Sequence, residues 1–155
     1  MSLEICEQVI KTMKEDSAIQ AYTGYTVNDP RIYSWNPMFN IIFATERPVA
    51  IFHRYSQSPD PNPKRSSFPT QKGNIYFYFQ VKSPDKTLAV RCAERIENLF
   101  CDEPLNSDNY KIGIVRSNGN DDGTTEGTPT RPIYVRNVNL LLKEVFKKHE
   151  FQIPW

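Results

Sequence analysis

The chain has 155 residues, 19 Lys and Arg against 18 Asp and Glu, and a formal net charge of +1. That length suits one domain with a true core, burying roughly 70% of the surface its unfolded chain would expose. The near-neutral balance excludes general binding of nucleic acid or membrane through a basic field, and no apolar run approaches the ~20 residues of a membrane span. Only 39% of residues are apolar and twelve are Pro, which points to a compact core with long, Pro-stiffened excursions.

The spacing predicts a first helix over Ser2 to Glu15, with Leu3, Cys6, Ile10 and Met13 on one stripe and Ile5 and Val9 widening it. Asp16-Ser17 either ends this helix or caps a second short turn through Ala18-Ile19. Thr23-Gly24 and Asn28-Asp29-Pro30 then mark a loop. Three strands are expected next: Arg31 to Trp35, Ile41 to Thr45, and Val49 to Tyr55, with Glu46-Arg47-Pro48 as the turn between the last two. Over 56–73 the chain changes character. Ser58-Pro59-Asp60-Pro61-Asn62-Pro63-Lys64-Arg65 cannot form a regular ladder, because alternate prolines remove donors and fix φ. A long extended arm is expected there.

Ile75-Tyr76-Phe77-Tyr78-Phe79-Gln80-Val81-Lys82 alternates as a strand, with Ile75, Phe77, Phe79 and Val81 on one face and Tyr76, Tyr78, Gln80 and Lys82 on the other. Ser83-Pro84-Asp85 reads as a helix start, with Ser83 as the cap, Pro84 at the first helical position and Asp85 near the positive dipole end. The helix carries Leu88, Cys92, Ile96 and Leu99 on one stripe and ends at Asp102-Glu103-Pro104; it should cover the Ile75/Phe77/Phe79 face. Tyr110 to Arg116 reads as a strand, and Asn118 to Thr130 as a polar, Gly-rich loop with Asp121-Asp122 at its tip. A long final strand fits Ile133 to about Phe146, with a helix over Leu140 to His149 as the competing reading. The apolar tail Phe151 to Trp155 follows a domain spanning 1–150. Strands in succession without helical crossovers imply an α+β fold: a mostly antiparallel sheet with two helices on one face.

Chemistry is sparse. Cys6, Cys92 and Cys101 match no zinc spacing and read as reduced core thiols, with no secretory signal ahead of them, so an intracellular setting is expected. His53 reads as a sheet-face histidine, and His149 sits in a solvated Lys-Lys-His-Glu run. Asp60 with Gln80-Val81-Lys82 loosely matches a metal-dependent nuclease, but Gln80 stands where an acidic ligand is needed. Asp121-Asp122-Gly123 lacks the spacing of a calcium loop. No cofactor or metal is implied. What stands out is surface suited to partners: Tyr76, Tyr78 and Tyr134 on the outer strand face, Lys64, Arg65 and Phe68 in the arm, Asp121 and Asp122 at the loop tip, and Phe151, Ile153 and Trp155 in the tail. A monomeric adaptor or ligand-binding domain and a nuclease are the rival classes.

The layout resembles the tail terminator (tail completion) proteins of tailed bacteriophages. The resemblance rests on the opening helix Ser2 to Lys11, the Asp16-Ser17-Ala18-Ile19 step, the aromatic strand Ile32-Tyr33, the strand Pro48-Val49-Ala50-Ile51-Phe52, a long hairpin arm, the strand and helix over 74–100, and a late strand Tyr134-Val135-Arg136-Asn137-Val138. The Pro-dense arm and the 151–155 tail depart from it. The resemblance implies a virion protein, assembled in the host cytoplasm, that forms a hexameric ring on the tail tube. Its partners would be its own copies, the tube protein, a head-completion, stopper or neck protein and, in contractile tails, the sheath. DNA would pass through the lumen without sequence-specific contact.

Overall fold

The computed structural model describes residues 2–35, 41–59, 73–102, 105, 110–111, 114–121 and 125–147, with side chains for 5–35, 41–56, 74–100, 105 and 125–142. Among these lie three helices, α1 (Ser2–Glu15), α2 (Ser17–Thr23) and α3 (Lys86–Asp102), and seven strands. The strands are β1 (Ile32–Ser34), β2 (Ala50–Pro59), β3 (Gly73–Ser83), β4 (Tyr110–Lys111), β5 (Ile114–Asp121), β6 (Thr125–Thr128) and β7 (Arg131–Lys147). They form one sheet in the order β1-β2-β3-β7, and β4, β5 and β6 line up along the far edge of β7. Every pairing is antiparallel except β1 with β2. The fold is α+β, as the element order implies.

The helices share one face. Ile5, Val9 and Met13 of α1, Ile19 of α2, and Cys92, Ala93 and Ile96 of α3 are buried against Ile51, Ile75, Phe77, Phe79, Val81, Val138, Leu140 and Leu142. The register explains this: Phe79 opposes Val138, Phe77 opposes Leu140 and Ile75 opposes Leu142, and directly opposed side chains share a face. Phe77 and Phe79 stack at 6.0 Å between ring centroids. On α1 the buried line is Ile5-Val9-Met13, while Ile10 only flanks the core. The expected α3 stripe therefore faces the sheet, whereas on α1 the centre of the buried face shifts from the expected Cys6/Ile10 line to the flanking Ile5 and Val9.

Asp16 makes α2 a helix of its own. Its carboxylate accepts from the Ile19 N–H at 3.0 Å, and Gly24, at φ 66°, closes the other end in the left-handed conformation. Asp16 also accepts from Arg95 of α3, at 2.6 Å from Nη2 and 3.1 Å from Nε. One carboxylate thus ties the α1–α2 corner to α3.

Several expectations need correction. The helix after β3 is capped by Asp85, whose Oδ1 accepts from Thr87 N–H at 2.9 Å and Leu88 N–H at 3.3 Å. Ser83 is still paired with Tyr134 in the sheet and is fully buried, and its hydroxyl instead accepts from the Asp85 N–H. Pro84 accordingly precedes the helix. Ile41 to Thr45 is not a strand: Ala44 and Arg47 form an isolated bridge around a turn. Its carbonyls are served by a side chain, since Arg31, buried at φ 63°, donates to Ile42 O at 3.1 Å and Arg47 O at 3.0 Å. Of the 118–130 segment, residues 118–121 and 125–128 are strand, because the 17-residue β7 offers a ladder about 55 Å long and its edge pairs polar residues by backbone alone. Of the arm expected over 56–73, residues 56–59 and 73 extend the β2–β3 hairpin, and 60–72 lie outside the described residues. The strand reading of the last segment holds through Lys147.

Candidate functional site

The sheet has a second face with no helix among the described residues packed on it. β3 presents Tyr76, Tyr78, Gln80 and Lys82 there, all partly exposed, and the register adds Phe52 and Arg54 from β2 and Asn137 and Asn139 from β7. β1 runs parallel to β2 and delivers Trp35 to the same face: the Trp35 N–H donates to His53 O at 2.8 Å, which holds the indole beside Arg54.

The aromatic rings on this face hold cations. The Arg54 guanidinium lies 4.9 Å from the Tyr78 ring centroid and 5.8 Å from that of Trp35. The Lys82 ammonium lies 5.1 Å from Phe52 and 5.7 Å from Trp35, and it pairs with Glu126 of β6 at 2.9 Å. Trp35 is 41% exposed, a large fraction for an indole with two cations against it. A cleft of about 330 Å³ opens between these groups, lined by Trp35, Arg54, Tyr78, Gln80, Asn137 and Asn139. The Gln80 side-chain oxygen is buried on this face without a donor among the described residues.

A second hollow, of about 600 Å³, lies on the helix side between α1 and the β1–β2 rim, where Cys6, Ile10, Lys14, His53 and Tyr55 meet. It is not poised for nucleophilic chemistry. Burial pushes the Cys6 thiol up to about 11, and burial, helped by the Lys14 charge, holds His53 below its ordinary value. Among the described residues no three His, Cys, Asp or Glu side chains are grouped to hold a metal ion, and no helix is long and apolar enough to cross a membrane. Of the nuclease-like set, Gln80 and Lys82 share the open face, with Lys82 engaged by Glu126; Asp60 lies outside the described residues.

The structure brings together some of the expected contact residues and separates others. Tyr76 and Tyr78 lie on the open face as alternation implies. Tyr134 does not join them: it opposes Ser83 on the helix-side face, because β7 pairs with β3 in a register that puts its even-numbered residues there. The backbone of Asp121 lies in β5 opposite Asn137 rather than at a loop tip. Lys64, Arg65, Phe68, Asp122, Phe151, Ile153 and Trp155 lie outside the described residues. Sequence reasoning missed Trp35, Arg54, Asn137 and Asn139 as members of one face. The alternation Phe52-x-Arg54 carries a signal for that face, but nothing local tells which strands sit side by side.

No protein-family model and no curated protein matches the sequence. Among solved structures, a chain of the one described as "Virion of native gene transfer agent (GTA) particle" is similar with a TM-score of 0.63 at 8% identity. The likeness covers 95% of this chain and 99% of that one. At such an identity it establishes a shared fold, carried from end to end by a chain that is part of a virion particle.

Proposed function

We propose that this protein is a structural subunit of a phage-like virion and, within it, a tail terminator: a ring that caps the tail tube, ends its growth and presents a docking surface to the head or neck. The observation that carries this reading is the whole-chain fold likeness to a virion component, which leaves almost no part of either chain unmatched. The open aromatic and cationic sheet face adds support, since a subunit needs contact surface and no helix among the described residues covers this one. The ring, hexameric by resemblance, would contact its own copies, the tube protein, a head-completion or stopper protein and, in contractile tails, the sheath. DNA would traverse its lumen, and a net charge of +1 suits a passage that does not grip it. The role is structural and needs no catalysis.

Mixing the purified protein with polymerising tail tubes and imaging by negative stain tests this directly. Tubes of limited length with a cap at one end are expected. Tubes that keep growing and carry no cap would sink the proposal. Removal of 151–155 is expected to weaken capping while leaving the melting temperature of the isolated chain unchanged; a large loss of thermal stability would place that segment in the core instead.

A further inference from the structure

Arg54 and Lys82, the cations held against the rings of the open face, differ in one respect. Lys82 has a carboxylate, Glu126, at 2.9 Å. Arg54 has none: its guanidinium meets the Tyr78 and Trp35 rings, and among the described residues no carboxylate or hydrogen-bond acceptor engages it. Rings stabilise the charge but offer no lone pair to five in-plane N–H donors. Beside it lie Asn137, the carboxamide of Asn139, which can both give and take backbone hydrogen bonds, and Gln80, whose oxygen lacks a donor among the described residues.

We infer that this cleft receives an Asp or Glu side chain from an acidic segment of a partner protein laid across the open sheet face, with Arg54 as its anchor. A carboxylate matches the guanidinium fork with two parallel hydrogen bonds, the strongest pairing Arg makes with a side chain. Trp, Tyr and Arg together are the composition of an interface hot spot. A volume of about 330 Å³ takes one or two side chains. Nucleic acid fits less well. Its affinity grows with the number of phosphates neutralised, and here Lys82 is already paired. The rings that would stack bases are occupied by cations. The inference rests on the reading of the chain as an assembly subunit, and the two fail separately. A cap on the tube without peptide binding removes the cleft alone, and peptide binding without a cap removes the ring alone.

The test uses the full chain, labelled with nitrogen-15. It is titrated with a short Gly-Ser peptide bearing a run of Glu, with the same peptide bearing Gln, and with an oligothymidylate. Saturable shifts of the Trp35 indole N–H and the Asn137 and Asn139 side-chain amides are expected with the Glu peptide alone. Arg54→Gln should weaken that binding about tenfold or more, because a charged hydrogen bond is lost. Arg131→Gln, which removes an exposed charge away from the cleft, should not. Arg54 is itself exposed, so its variant should melt like the wild type. The inference is overturned if no saturable shift appears, or if the Gln peptide acts equally. It is also overturned if the oligothymidylate moves the same resonances or if Arg131→Gln costs as much as Arg54→Gln. Concentration-dependent shifts of those resonances without peptide would assign the face to a second copy of this chain and likewise overturn it.

Discussion

Removing the Asp16 carboxylate tests whether one side chain holds the three helices together. Asp16 does two jobs: it caps α2 through the Ile19 N–H, and it accepts from Arg95 of α3 at 2.6 and 3.1 Å. The cap contributes about 1 kcal/mol. The ion pair is half-open, with the Arg95 side chain 38% exposed and that of Asp16 only 8%, so solvent screening discounts it to about 1 kcal/mol. Asp16→Ala loses both and should cost about 2–3 kcal/mol, a fall of roughly 5–10 °C in melting temperature for a chain this long. Asp16→Asn keeps a capping oxygen and should cost about 1 kcal/mol. Urea unfolding of the isolated chain followed by circular dichroism measures both. In a double-mutant cycle with Arg95→Met, the Asp16→Asn and Arg95→Met losses should fail to add by about 1 kcal/mol. The pH dependence has a definite sign. The Arg95 hydrogen bond, opposed by burial and assisted by backbone N–H groups of Ile19 and Ala18, holds the Asp16 carboxyl below its ordinary value. Its contribution is therefore complete above the unfolded value of about 3.9 and fades as pH falls through the folded one. The gap between wild type and Asp16→Asn should close below about pH 4. An Asp16→Ala variant within about 0.5 kcal/mol of wild type, or a gap that widens in acid, would refute the reasoning.

Phe79→Ala should cost about 3–5 kcal/mol in the same assay, because Phe79 is 1% exposed and stacked on Phe77 beneath the helices; a cost near zero would mean the sheet faces are assigned the wrong way round. Gly24→Ala should destabilise by about 1 kcal/mol or more, since φ 66° disfavours a side chain and a Cβ there meets the Glu46 carbonyl oxygen. A neutral or stabilising Gly24→Ala would show that the 44–47 turn yields freely. Cys6 and Cys92 should resist iodoacetamide in the folded chain at mildly alkaline pH, because burial pushes their thiols up to about 11 and about 12, and both should alkylate once the chain is unfolded. Modification of either in the native protein at the rate of a free thiol, read by peptide mass spectrometry, would contradict this.

The candidate site was only half legible. Alternation in β3 separated Phe77 and Phe79 from Tyr76 and Tyr78, and the structure keeps that division. The same parity argument could not reach Tyr134, because the face of β7 relative to β3 depends on a register set across the whole 84–130 stretch of intervening chain. Arg54 and Trp35 each look ordinary in their own strands. Their meeting depends on β1 lying parallel to β2, a pairing no local pattern announces.

The sequence by itself determined the span of α1 and the strand-to-helix passage around residue 83, because periodicity and breakers act over neighbouring residues and need no partner; for the last segment it favoured a strand but left a helix over Leu140 to His149 open. Only the tertiary structure decided the rest. It moved the cap from Ser83 to Asp85, since Ser83 is spent in the sheet. It turned 118–121 and 125–128, read from sequence as loop, into strands, since β7 had an edge to satisfy. It also gathered cations and rings from three strands onto one open face. Those outcomes depend on which backbone groups and side chains find each other after the chain closes, and that choice is made by the whole sheet at once.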